Sequence, residues 1–116
     1  DGQAHQLTED HSLVNEQVRA GLLTPEEAKR SKLKNVITRS VGFEEDVLVD
    51  VLGLVTRPKD LFLLCSDGVS NLIPIEDLRD ALLRHPIEEV ASRLVDLANT
   101  RGGDDNSTVI AIERIE

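Results

Sequence analysis

Residues 61–71 read LFLLCSDGVSN, an apolar run that ends in an acid, a glycine and a polar turn. Five successive apolar positions from Leu61 to Cys65 leave no polar face, so a strand of this kind is expected to be buried on both sides. Ser66 and Asp67 then stand where the strand surfaces. Gly68 allows a sharp turn and keeps a side chain from crowding whatever approaches the Asp67 carboxylate. A carboxylate fixed at a strand end suits a cation or phosphate chemistry, and equally suits an ordinary Asx-type turn.

A second acidic turn lies near the other end. Residues 101–106, RGGDDN, join an amphipathic helical pattern to a last apolar strand over residues 107–115. Taken alone this is loop composition, because glycine, aspartate and asparagine serve any tight turn. If the two strands are neighbours in one sheet, however, Asp67 and Asp105 meet at one end of it. Their mutual repulsion would then call for a cation or a proton between them.

Composition limits what such a site could serve. At 116 residues the chain can build one core. Its 22 acidic residues against 13 basic ones give a net charge of -9, which repels a phosphate backbone. The only aromatic residues are two phenylalanines, too few for a base-stacking platform, so nucleic-acid binding is excluded. Cys65 is the single cysteine and lies within the apolar run, where an inert thiol is expected and no internal disulfide can form. No segment approaches the roughly 20 apolar residues that span a bilayer, and no signal peptide is evident, which points to no membrane partner and a cytoplasmic location. The chain lacks methionine and starts at Asp1-Gly2-Gln3, like the turn of a hairpin whose first strand lies elsewhere. It is therefore expected to be a piece of a larger domain.

Local signals place the elements. Residues 3–8 are expected to form the second strand of that hairpin. Asp10 or Ser12 can cap a helix carrying Leu13, Val14 and Val18, with Gly21 at its end and His11 hydrogen-bonded at its entry. Thr24 and Glu27 make a capping box around Pro25, so a short helix should run to about Lys32. Lys29, Arg30, Lys32 and Lys34 form the basic cluster of an acidic chain, suited to an anionic substrate or simply to a helix C-terminus. Residues 47–55 are strongly β-prone and, after a turn at residues 56–60, are expected to pair antiparallel with the strand into Asp67. Helices should open at Pro74 and after His85-Pro86, and the unbroken VIAI of residues 109–112 predicts a last strand covered on both faces. The order of helix pair, strands, helix pair and strand implies an α+β fold with a mostly antiparallel sheet.

The segments LTEDHSLV, NVITRSVG, LFLLCSDGVSN and GGDDNSTVIAI, in this order and at these separations, resemble the C-terminal half of the metal-dependent protein phosphatase 2C (PPM) family, particularly its bacterial members. The resemblance implies part of a four-layer αββα sandwich. It implies that Asp67 and Asp105 are metal ligands, Asp105 being preferred to Asp104 because the family's ligand directly precedes the asparagine, with Gly68 and Asn106 as site-tuning residues and Asp104 either tuning the site or simply part of the loop. Two Mg²⁺ or Mn²⁺ ions would activate a water for in-line hydrolysis of phosphoserine or phosphothreonine in a phosphoprotein substrate. Residues 23–46 resemble the family's flap, with Arg39 as a substrate contact, and a cognate serine/threonine kinase would be a partner. Val69 stands where leucine is commoner, and Asp104 makes the last motif doubly acidic.

The family's N-terminal motifs have no counterpart in these residues. The chain by itself is therefore expected to be inactive and to pair with a second copy or with a complementing chain. A receiver domain would need five alternating βα units, which the pattern lacks. A phosphatase-fold interaction module without metal remains the alternative.

Overall fold

Val90, Leu94 and Ala98 recur every fourth residue along a helix, so they line one stripe, and all three are buried. With Val69 and Ile73 they make the hydrophobic core around which the C-terminal part of the chain is built. The computed structural model describes residues 2–103 and 105–116. It divides into two units: residues 54–116 with the described residues up to His5, and Gln6–Gly53.

In the first unit the elements follow one another as β1 (Leu61–Cys65), α3 (Asp67–Ser70), α4 (Ile75–Arg84), α5 (Ile87–Thr100) and β2 (Val109–Glu113), numbered after two helices of the other unit. Pro74 and Pro86 stand at the entries of α4 and α5 with φ of -60° and -57°, already near the helical value and with no amide hydrogen to satisfy. β1 and β2 pair antiparallel, from Leu61 opposite Glu113 to Cys65 opposite Val109. Leu63, Cys65, Val109 and Ala111 face the core and pack under the helices. The class is α+β, with helices on one face of a two-stranded antiparallel sheet.

Three strand expectations need correction. Leu64, Ile110 and Ile112, on the opposite face of the sheet, are 53%, 54% and 45% exposed, so neither strand is covered on both sides. An unbroken apolar run permits double coverage but does not supply the second layer. Residues 47–55 form no strand, and β1 pairs with β2 instead. Val49, Val51 and Val55 are exposed, and β-propensity takes effect only where a pleated neighbour offers a surface to pack on. Residues 3–8 likewise form no strand. The turn at residues 56–60 is present, closed by the Arg57 amide donating to Asp60 Oδ2 at 2.8 Å.

The second unit carries α1 (Leu13–Arg19) and α2 (Pro25–Arg30). Ser12 rather than Asp10 caps α1, its hydroxyl accepting from the Asn15 amide, and Gly21 follows the helix with φ of +77°. The capping box of α2 is formed, with Thr24 and Glu27 each bonding the other's amide at 3.1 Å. The chain then returns alongside the entry of α1, where Leu13 donates to Val36 O at 2.9 Å and Thr38 to His11 O at 2.8 Å. Among the described residues no helix is long and apolar enough to cross a membrane.

Leu94 is 1% exposed at the centre of the core. Leu94→Ala should lower unfolding stability by about 2–5 kcal/mol, read as a shifted midpoint in urea.

Candidate metal centre

Where β1 ends, its ladder with β2 continues for one further pair, with the Ser66 amide donating to Thr108 O at 3.0 Å. Asp67 then opens the short helical turn α3, with its side chain exposed. Asp105 is exposed on the turn that feeds β2 and accepts the Asn106 amide on its own Oδ1 at 2.7 Å. The two turns abut. A Cβ built on Gly68 would lie 2.1 Å from Asn106 O and 3.3 Å from the carbonyl carbon of Asp105, so only glycine fits between them. The antiparallel register thus brings the acidic turns, far apart in sequence, to one end of one sheet.

Asp67 and Asp105 are hard oxygen donors open to water, a set that suits Mg²⁺ or Mn²⁺, which keep several waters when bound. No side chain among the described residues hydrogen-bonds or ion-pairs with the Asp67 carboxylate, which leaves it able to accept a cation. Asn106 belongs to the same turn, and its carbonyl accepts the Ser66 hydroxyl at 3.1 Å. Asp104 lies outside the described residues. Among the described residues no three or more His, Cys, Asp or Glu side chains cluster around one point. Burial pushes the Cys65 thiol up, so the one cysteine stays protonated beside the site.

Arg39 has a carboxylate partner within its own unit. Its Nη1 donates to Asp50 Oδ1 at 2.8 Å and to Leu48 O at 3.3 Å. His11 Nε2 lies 2.7 Å from the other oxygen of the same carboxylate. Asp50 therefore ties the entry of α1 to the segment after α2, and its carboxyl is held below the usual range, chiefly by the hydrogen bond from Arg39 and next by that from His11. The expected hydrogen bond at His11 is present, with a partner 39 residues away that no local pattern could name. Ser66 and Thr108 were also missed, because a serine before Asp-Gly looks like a turn residue and its bonds lie about 40 residues on.

No protein-family model matches the chain. Comparison with known proteins shows similarity to serine/threonine phosphatases. The fold matches the S. agalactiae serine/threonine phosphatase with a TM-score of 0.88 and 40% identity, covering 100% of this chain and 48% of that one. The catalytic domain of the serine/threonine protein phosphatase PstP, solved in complex with 2 manganese ions, matches with a TM-score of 0.78 and 34% identity over 100% of this chain and 47% of that one. In sequence the chain is 42% identical over 113 residues to protein phosphatase PhpP of Streptococcus pneumoniae, which is 97% of this chain and 46% of that protein. The chain spans about half the length of the curated relatives it matches. In sequence and fold alike the chain matches the C-terminal half of phosphatase 2C-type, or PPM, proteins.

Two outcomes follow from this geometry. Gly68→Ala must push the two turns apart, and should cost about 1–3 kcal/mol in unfolding stability, with faster amide exchange across residues 105–108. The Asp50 carboxyl has a lower pKa in the native state than in the unfolded chain, so its contribution is present above the ordinary carboxylate range and is lost as pH falls through the native value. Urea midpoints taken from neutral pH to below about pH 4 should fall less steeply in Asp50→Asn than in the parent, and the difference should shrink in high salt because the group is exposed.

Proposed function

We propose that the protein containing this chain hydrolyses phosphoserine and phosphothreonine in proteins in an Mg²⁺- or Mn²⁺-dependent manner, and that residues 1–116 are the C-terminal part of its one phosphatase domain. The observation that carries this reading is the meeting of the Asp67 and Asp105 turns at one sheet end, with glycine required between them. The manganese-bound relative supports it. Asp67 and Asp105 hold the ions through hard carboxylate oxygens, and Gly68, Asn106 and Asp104 tune the site. When bound, such ions would supply an activated water and neutralise charge on the phosphoryl oxygens.

Residues 23–46 act as a flap over the substrate. Arg39, with its Nη1 held by Asp50, offers the rest of its guanidinium to the phosphate. A phosphoprotein is the substrate, a serine/threonine kinase is the opposing partner, and the cytoplasm is the site of action. Two carboxylates supply only part of a cation's coordination shell, so the 116 residues alone are inactive and take up a complementing chain or a second copy.

The alternative is a phosphatase-fold interaction module that binds no metal. One experiment separates the two. The whole protein should hydrolyse a phosphothreonine peptide in Mn²⁺, and Asp67→Asn or Asp105→Asn should lower turnover by at least about 100-fold, the equivalent of a few kcal/mol of lost charge stabilisation. The 116-residue chain by itself should show no turnover above background. Equal turnover in the parent and in Asp67→Asn would refute the assignment.

A further inference from the structure

We infer that Ser66 is a positioning residue that sets the spacing between Asp67 and Asp105 and so tunes the affinity of the site for its cation. The inference rests on the metal reading proposed above. Serine is among the best helix-capping residues, and Ser66 occupies the N-cap of α3, yet its hydroxyl makes no bond to that helix. The hydroxyl is committed across the sheet instead. It donates to Asn106 O at 3.1 Å and accepts from the Thr108 amide at 3.0 Å, and so clamps the chain on both sides of Ser107.

The reason lies in the backbone. An antiparallel pair at Ser66 and Thr108 would normally exchange two bonds, one from each amide. The Ser66 amide makes its bond, to Thr108 O at 3.0 Å. The Ser66 carbonyl cannot accept in return, because α3 has taken it: the amides of Val69 and Ser70 donate to it at 3.0 and 3.2 Å. The side-chain oxygen stands in for the missing acceptor and carries the ladder one step past the point where β1 turns into a helix. The next residue on one side is Asp67, and the segment held on the other runs directly from Asp105. With the Gly68 contact limiting approach and the Ser66 bonds limiting separation, the distance between the two acidic turns is bounded from both directions.

The test is Mn²⁺ titration of the whole protein by calorimetry, without substrate, for the parent, Ser66→Ala, Ser66→Thr and Leu94→Ala. Ser66→Ala should weaken Mn²⁺ binding by about 10–100-fold, as loss of a group that orients a ligand does, and should speed exchange of the Thr108 amide in the metal-free protein. Ser66→Thr, which keeps the hydroxyl, should restore most of the affinity. Leu94→Ala loses a core side chain but no group of the two acidic turns, and should bind as the parent does. Should Ser66→Ala fail to fold, Ser66→Cys keeps the bulk with a weaker donor and acceptor, and it should fall between parent and Ser66→Thr on one side and no binding on the other. Parent-like binding by Ser66→Ala or Ser66→Cys, or an equal loss in Leu94→Ala, overturns the inference while leaving the metal reading intact. Absence of Mn²⁺ binding in the parent overturns both.

Discussion

The antiparallel pairing of β1 with β2 is the constraint on which the rest of the C-terminal unit depends. It fixes which residues face the helices, since Leu63 and Cys65 stand opposite Ala111 and Val109 on the covered side. The same pairing carries the first acidic turn out of one strand and the second into the other, at the same end of the sheet. Because side chains alternate along a strand, a one-residue slip would expose the core residues and separate the two turns together. The site and the core are in this sense specified by one register. Close contact at Gly68 and the bridging hydroxyl of Ser66 then set its fine spacing.

The other unit is organised by electrostatics more than by burial. Val14 is its one buried apolar side chain among the described residues, and the polar contacts of Asp50 with His11 and Arg39 join segments that share little apolar surface. Exposed pairs of this kind contribute modestly and are screened by salt. A segment held this way is easier to displace than the α5 side of the sheet, which suits an element proposed to lie over a substrate.

Features that depend on near neighbours were legible in the sequence. Ser12, the Thr24–Glu27 box, Pro74 and Pro86 each act within one helical turn, and each marks an element that is present. The Asp67 and Asp105 turns were also legible, because glycine, acid and asparagine between apolar runs have a local meaning. What failed was whatever depended on a partner. Residues 47–55 have the composition of a strand but no adjacent strand to pair with, and the VIAI run could not reveal that only Val109 and Ala111 find cover. The role of Ser66 was invisible for the same reason, since its hydroxyl answers to a carbonyl already used by α3 and to peptide groups about 40 residues away.

The uncovered side of the sheet has a practical consequence. Leu64 and Ile110 stand opposite each other in the register, with Ile112 two residues further along the same face. A greasy ribbon of this kind is a template for copies of the same polypeptide to stick to one another. What opposes that attraction is the charge of -9, which makes like molecules repel. Colloidal behaviour therefore hangs on a balance between wetting and repulsion, and crystallisation screens rich in electrolyte or near the isoelectric point would tip it towards precipitation.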